Sequence, residues 1–238
     1  MHIEISGKSD IGKKRTTNED AFLIDTDHNL VIVADGVGGL QAGQVASQLA
    51  VQEIHAHLQG QIFTPEELST SVQRANLAVY QAGLGNPNQA GMATTVNTVV
   101  FFQGHVHIAH VGDSRTYRFR QGKLEAMTQD HNVKTFLANG WLTAEQIDDR
   151  LSKEALMRAV GMEPTCIVDL YAFDLAAQDI WLTATDGLFG MVAHKRMEEI
   201  LLQHGTHLDR ALAALVDEAN ANGGRDNITA VLAYVAEI

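Results

Sequence analysis

Four aspartates stand where an apolar run meets glycine. Leu30-Val31-Ile32-Val33-Ala34 runs into Asp35-Gly36, Ile108-Ala109-His110-Val111 into Gly112-Asp113, and Ile180 to Thr185 into Asp186-Gly187. Near the C-terminus, Gly223-Gly224-Arg225-Asp226 opens the apolar run Ile228 to Val235. A short apolar run bounded by turn formers reads as a buried strand. A carboxylate at the end of such a strand does not stay charged and half-buried without a partner. Two further carboxylates, Glu19 and Asp20, precede the apolar segment Ala21 to Ile24 and follow the cations Lys13, Lys14 and Arg15. Taken alone, 12–20 is a polar loop between strands.

If Glu19, Asp35, Asp186 and Asp226 converge, they repel one another and take up protons unless a cation is present. Ligation by oxygen alone points to the hard divalent cations Mg²⁺ or Mn²⁺. Two such ions about 3.5–4 Å apart clamp an in-line displacement at phosphorus. Arg15 is then the natural phosphate fork, since a guanidinium binds two phosphate oxygens together. The chemistry this pattern fits is metal-dependent hydrolysis of a phosphoester.

Composition narrows the classes. Of 238 residues, 45% are apolar and 19% charged, with three prolines, which is the composition of a folded chain. The formal net charge of −12 argues against a nucleic-acid binder, which needs a basic face. Cys166 is the only cysteine, so no intrachain disulfide and no thiolate metal cluster can form. The opening Met-His-Ile-Glu-Ile lacks a basic region followed by an apolar core. No stretch approaches the roughly 18 apolar residues of a membrane span. The expectation is a cytoplasmic protein with no membrane contact.

The elements that must position the carboxylates follow from periodicity. Residues 2–6 alternate and suit an opening strand, and 21–24 and 30–34 suit two more. Val45, Ala46, Leu49, Ala50, Ile54 and Leu58 fall at helical spacing over 42–59. Thr64-Pro65-Glu66-Glu67 starts a second helix, with threonine as cap and Glu67 able to close a capping box. Strands follow at 94–102, 106–111, 116–120 and 123–127, the last two joined by Gln121-Gly122, a hairpin signal. Between Asp130 and Met162 the pattern changes to short polar helices, one boxed by Thr143 and one capped by Ser152, and reads as a lid-like insert. Strands return at 166–173 and 179–185, then helices at 197–204 and 207–221, then a last strand at 227–236. Short connections mean antiparallel pairing. The expected class is α+β, a four-layer αββα sandwich of two antiparallel sheets flanked by helix pairs, with a small helical flap. Neither a Gly-x-Gly-x-x-Gly nor a Gly-Lys-Ser/Thr phosphate loop is present.

Seven motifs in order carry a resemblance. They are Gly12-x-x-Arg15-x-x-Asn18-Glu19-Asp20, Asp35-Gly36-Val37-Gly38-Gly39, Gly91-Met92-Ala93-Thr94-Thr95 and Val111-Gly112-Asp113-Ser114-Arg115, then Thr128-Gln129-Asp130-His131-Asn132, Ala184-Thr185-Asp186-Gly187 and Gly224-Arg225-Asp226-Asn227-Ile228-Thr229. The series resembles the protein phosphatase 2C (PPM) family over about residues 5–236, and most closely its compact bacterial serine/threonine phosphatases. The resemblance implies one catalytic domain over 1–238, with the flap at about 131–162. It implies that Asp35 bridges two catalytic Mn²⁺ or Mg²⁺ ions, with Glu19 and the Gly36 carbonyl on one and Asp186 and Asp226 on the other. Asp113 with Asp186 then holds a weaker third ion, and Arg15 binds the substrate phosphate. Asp20 matches an acidic residue beside the metals, and Asn227 one that orients Asp226 or a metal-bound water. The implied reaction is direct attack by a metal-bridging hydroxide, with no phosphoenzyme. Two positions depart from the pattern. Val37 stands where many eukaryotic members have a histidine proposed as general acid, and Ala93 where many bacterial members have glycine.

Other conspicuous residues have blander readings. Cys166 reads as core within a strand, far from any glycine-rich turn. His110 reads as satisfied by a backbone group, and His131 as structural more than substrate-facing. His55 and His57 share no helix face and read as surface or helix-end residues. Arg115 braces the turn after Asp113, and Arg158, which matches an arginine at the family's flap end, fits a structural or a substrate-contact role equally.

The leading expectation is a serine/threonine protein phosphatase, a monomer opposing a Hanks-type kinase and acting on that kinase or its phosphorylated targets. The alternatives are a phosphatase of small phosphoesters and a non-catalytic phosphoprotein-binding regulator. Metal-dependent turnover separates the enzyme from the binder.

Overall fold

Two antiparallel sheets lie face to face and present Glu19, Asp35, Asp113, Asp186 and Asp226 at one end. The computed structural model describes residues 1–37, 42–60, 63–148 and 151–238. Gly38 and Gly39 of the glycine-rich turn, and flap positions 149 and 150, lie outside the described residues.

In chain order the elements are β1 (His2–Asp10), β2 (Asp20–Asp25), β3 (Leu30–Val37), α1 (Ala42–Leu58) and α2 (Pro65–Gly85). Then come β4 (Ala93–Thr94), β5 (Val96–Phe102), β6 (His105–Val111), β7 (Arg115–Arg120), β8 (Lys123–Ala126) and α3 (Val133–Ala138). The chain continues through β9 (Asp169–Asp174), β10 (Ile180–Ala184), α4 (Asp186–Phe189), α5 (His194–His204), α6 (Leu208–Ala221) and β11 (Ile228–Glu237). One sheet has the order β1-β11-β10-β7-β8 and the other β2-β3-β5-β6-β9, with β4 paired to the end of β3.

The apolar runs are explained by burial on both faces. In β3, Val31 and Val33 point at the opposing sheet, while Leu30, Ile32 and Ala34 point at the helices. Such a strand has no polar face, so it reads as a continuous run instead of an alternation. Between the sheets sit Ile3, Val99, Phe101, Ile108, Trp181, Val231 and Val235. Helices α1 and α2 cover the second sheet with Ala46, Ala50, Ile54, Leu68, Val72, Ala75 and Val79. Helices α5 and α6 cover the first with Met197, Ile200, Leu201, Leu212, Leu215 and Val216, against Leu182 and Leu232. Each fully buried aliphatic side chain contributes roughly 1.5–3 kcal/mol. The expected αββα layering is the observed one.

Local signals act as their chemistry dictates. Thr64 accepts from the Glu67 backbone N–H at 3.2 Å, one half of the expected box. Gln121 and Gly122 both have positive φ, 52° and 78°, as a two-residue turn with mirror-image geometry requires.

The differences lie at element ends and in the insert. Strand β3 does not stop at Asp35 but runs two residues further, because β4 pairs Gly36 with Thr94 and Val37 with Ala93. The strand expected from residue 166 begins at Asp169, so Cys166 lies before it, half-buried against the helix-side core. The helix expected from Ser152 is a turn, in which the Ser152 hydroxyl and carbonyl accept from the Glu154 and Ala155 N–H groups. The Thr143 helix is a single 3₁₀ turn, Ala144–Gln146. Helix α4 is one turn, too short for a hydrophobic period to reveal.

Candidate active site

Glu19 stands just before β2 and Asp20 opens it. Asp35 lies opposite Asp20 in the β2–β3 register, with Gly36 next along β3. Asp113 follows β6, Asp186 follows β10 as the first residue of α4, and Asp226 precedes β11. Antiparallel pairing puts the start of one strand beside the end of its neighbour. All six carboxylates therefore gather at one end of the two sheets. A cavity of about 520 Å³ opens there, lined by Arg15, Glu19, Asp35, Gly36, Asp113, Asp186 and Asp226 and, on the far side, by β4 and flap residues.

Close backbone approach makes this possible. A Cβ on Gly36 would lie 2.1 Å from the Gly43 carbonyl oxygen, so glycine lets α1 start against the end of β3. A Cβ on Gly187 would lie 1.9 Å from the Asn227 carbonyl oxygen, so glycine lets the Asp186 and Asp226 turns touch.

Glu19 is held by its backbone. Its N–H donates to Asn227 Oδ1 at 2.8 Å, and its carbonyl accepts from Ser47 Oγ at 2.6 Å and from the Gly36 N–H at 3.1 Å. Asn227 Nδ2 donates to the carbonyls of Ile11 and Thr17 at 2.9 and 3.0 Å. The Asn227 side chain thus ties the Arg15 loop to β11. Its contact with Asp226 is different from the expected one: the Asn227 backbone N–H donates to Asp226 Oδ1 at 2.8 Å. Asp20 is buried and accepts from Thr185 Oγ1 at 2.9 Å. Arg15 donates to Asp226 Oδ2 at 2.7 Å and to Glu19 Oε2 at 3.4 Å.

Charge is the cavity's dominant property. Burial pushes Asp113 up to about 7, helped by Asp186 and Asp130 and opposed by Arg115. Burial also takes Asp20 to about 7, against hydrogen bonds from Thr229 and Thr185. Asp35 is held well above the carboxylate range by burial and by the charges of Asp20, Asp186, Asp113 and Asp226. Asp186 is raised by burial and by Asp226, although its hydrogen bond with Asp35 pulls the other way. Glu19 is raised by burial, against the pull of Arg15. Burial disfavours the Arg15 charge, but the hydrogen bond and charge of Asp226 outweigh it and raise its pKa.

These residues fit a hard divalent cation. The donors are all oxygen, and buried Glu19 Oε1, Asp20 Oδ1 and Asp186 Oδ1 have no hydrogen-bond partner among the described residues. Buried polar atoms left unpaired are rare and mark a missing partner. Among the described residues no three Asp, Glu, His or Cys side chains close around one ion-sized position. The Arg15 guanidinium lies between Glu19 and Asp226 and supplies positive charge there. Arg15 takes Glu19 Oε2 and Asp226 Oδ2 and leaves Glu19 Oε1 unpaired.

Several residues that support the site carry no obvious signal. Asp35 is clasped by Thr95, whose Oγ1 accepts from the Asp35 N–H at 3.0 Å, and by Thr94, whose Oγ1 donates to the Asp35 carbonyl at 2.9 Å. Both threonines fall in the Gly91–Thr95 motif, but nothing local says which strand they serve. His131 is fully buried; its Nδ1 accepts from the Gly112 N–H at 3.1 Å, so Nε2 carries the proton and donates to Asp169 at 3.1 Å. Burial lowers its pKa. It anchors the Gly112-Asp113 turn and does not face the cavity. Buried His110, pushed down to about 3 by burial and His131, donates to the Gln129 carbonyl at 2.9 Å.

Arg115 braces the same turn, forked onto Asp130 at 2.8 and 2.7 Å and stacked 4.0 Å over Phe189. Arg158 binds Asp169 at 3.0 Å and lies outside the cavity lining. His55 and His57 pair separately, with Asp25 at 3.0 Å and Glu67 at 2.9 Å. Cys166 is outside the cavity, and burial pushes its thiol up to about 11, which makes it a poor nucleophile.

Similarity to known proteins agrees with this geometry. The profile of the family described as protein phosphatase 2C matches residues 7–233. The serine/threonine phosphatase Stp of Listeria monocytogenes is 35% identical, over 98% of this chain and 95% of its own. The solved serine/threonine phosphatase of S. agalactiae superimposes with a TM-score of 0.88 at 31% identity, covering 98% of this chain and 100% of that one. The catalytic domain of the serine/threonine protein phosphatase PstP, solved in complex with two manganese ions, superimposes with a TM-score of 0.86 at 28% identity over 99% of each chain.

Proposed function

The chain belongs to the protein phosphatase 2C family, and from that premise we propose which of its residues carry the reaction. It is a serine/threonine protein phosphatase dependent on Mn²⁺ or Mg²⁺, and its substrates are phosphoproteins. In our reading Glu19, Asp35 and the Gly36 carbonyl would hold one cation, and Asp35, Asp186 and Asp226 would hold the other. Asp113 with Asp186 would hold a weaker third ion. When bound, the cations neutralise the carboxylates, polarise the phosphoryl oxygens and make a water acidic enough to attack near neutral pH.

The chain's own groups do the rest. Arg15 leaves Asp226 and Glu19 and turns its paired N–H groups to two phosphate oxygens, which orients the ester and balances its charge. Asp20 and Asn227 hold the frame: Asp20 through Thr185, Asn227 through the Glu19 backbone. Water adds to phosphorus, the P–O ester bond breaks, and the serine or threonine oxygen leaves with a proton as inorganic phosphate forms. Val37 has no proton to give, so no side chain at its position acts as general acid. Cys166 takes no part.

The observation that carries this assignment is the meeting of Glu19, Asp35, Asp113, Asp186 and Asp226 from both sheets in one cavity with Arg15. The test is hydrolysis of a phosphothreonine peptide with Mn²⁺, with EDTA, and by Asp35→Asn with Mn²⁺. Turnover that requires the metal and vanishes in the folded variant is the expected result. Full activity in Asp35→Asn would refute the role given to that residue, and phosphopeptide binding without turnover would favour a regulator.

Residues 1–238 read as one catalytic domain with its flap at about 131–162. The protein is proposed to work as a monomer in the cytoplasm, on a serine/threonine kinase or that kinase's targets. Among the described residues no helix is long and apolar enough to cross a membrane.

A further inference from the structure

The far wall of the catalytic cavity is apolar, although its sequence reads as a polar insert. Val37 and Met162 are each 44% exposed, unusual for aliphatic side chains in a concave, charged site. Between them lie Ala93, Ala159 and the half-buried Leu156, all lining the same cavity, with Glu154 on the rim. The strip is continuous: Val37 pairs with Ala93 across β3 and β4, and Thr94 pairs with Val160 in an isolated bridge.

That bridge ties the wall to the catalytic end of the cavity. The Thr94 N–H donates to the Val160 carbonyl at 2.9 Å and the Val160 N–H returns to Thr94 at 2.8 Å. The Thr94 side chain meanwhile holds the Asp35 carbonyl. One strand therefore fixes both the wall and the carboxylate on which the proposed metal set centres. A phosphoryl group needs only the charged end of the cavity. An uncharged group resting on the other end would gain by leaving water.

We propose that this strip seats an apolar side chain of the substrate within two residues of the phosphorylated one, so that the enzyme selects phosphosites with a leucine-like neighbour. The proposal rests on the phosphatase assignment above and adds a substrate class to it. Val37 and Met162 are the specificity determinants, with Leu156 and the two alanines as floor. Glu154 disfavours an acidic side chain at the same place, through like charge at the rim.

The test uses phosphothreonine peptides in one neutral host sequence, with Leu, Gln or Glu placed in turn at positions −2, −1, +1 and +2. kcat/KM is read with Mn²⁺, and p-nitrophenyl phosphate serves as a substrate with no neighbouring residue. At one position Leu should exceed Gln by about tenfold, the scale of discrimination an apolar pocket offers, with Glu below Gln. Met162→Gln, a change at an exposed site, should bring that ratio down to about twofold or less while leaving p-nitrophenyl phosphate turnover unchanged, and Met162→Leu should restore it. Equal rates for Leu and Gln at all four positions would overturn the proposal, as would an undiminished preference in Met162→Gln. Failure to hydrolyse any phosphopeptide or p-nitrophenyl phosphate would instead strike the phosphatase assignment itself.

Discussion

Arg15 sits in the cavity with two carboxylates as partners, 2.7 Å from Asp226 and 3.4 Å from Glu19. The residue proposed to hold phosphate thus also balances the charge of two proposed metal ligands. The two roles compete, because a guanidinium drawn to these carboxylates repels a divalent cation bound to their other oxygens. Arg15→Ala should therefore weaken catalysis and strengthen metal binding together. Loss of charged hydrogen bonds to the phosphate predicts a fall of about ten- to a hundredfold in kcat/KM on a phosphopeptide. Calorimetric titration with Mn²⁺ should show tighter binding than in the unaltered protein. A weaker Mn²⁺ affinity in the variant would mean that Arg15 supports the ligand set instead of competing for it.

At the scale of elements, the site depends on how closely turns approach. Gly187→Ala puts a methyl group where the Asn227 carbonyl oxygen lies, so the turns after β10 and before β11 must separate. Overpacking of this kind costs about 1–3 kcal/mol. A lowered melting temperature with weakened Mn²⁺ binding is expected, and calorimetry with thermal denaturation reads both. Asn227→Ala acts differently, since it removes three side-chain hydrogen bonds that hold the Glu19 backbone and the Arg15 loop against β11. Loss of such supporting bonds typically lowers metal affinity about 10–100-fold. Unchanged Mn²⁺ affinity in Asn227→Ala would show that the loop keeps its place without that anchor.

Across the whole molecule, the cluster at one end of the sandwich opposes the stability that the three apolar layers supply. Asp20 and Asp113 hold protons up to about pH 7, and Asp35, Asp186 and Glu19 are shifted in the same direction. Unfolded, these carboxyls titrate near pH 4. Between about pH 4 and 7 the folded state therefore binds more protons than the unfolded one, so stability falls as pH rises through that window. In EDTA the melting temperature should be higher at pH 5 than at pH 8. Excess Mn²⁺ should reverse most of the loss at pH 8, since a ligand of the native state alone stabilises it by mass action. A metal-free protein equally stable at both pH values would contradict this account. Removal of the indole in Trp181→Ala, fully buried between the sheets, should cost about 3–5 kcal/mol irrespective of metal or pH.

Much of this was legible in the chain itself. A run such as Leu30 to Ala34 reads as a buried strand, and helical spacing over 42–59 and 207–221 reads as helices that cover a sheet. Aspartates beside glycine at four strand ends carry a chemical meaning wherever they meet, and seven ordered motifs point to one family. These are local properties of composition and period, and they survive without coordinates. What tertiary structure alone decided depends on groups distant in sequence. Arg15 finds Asp226 across 211 residues, and Asn227 finds the Glu19 backbone across 208. Thr94 links Asp35 to Val160, and an insert that reads as polar turns an apolar strip toward the cavity. The partners of His131, which the sequence reads as structural, and the turn at Ser152 were hidden for the same reason. A side chain's partner is set by which strands end together, and strand ends are brought together only by pairing over the whole sheet.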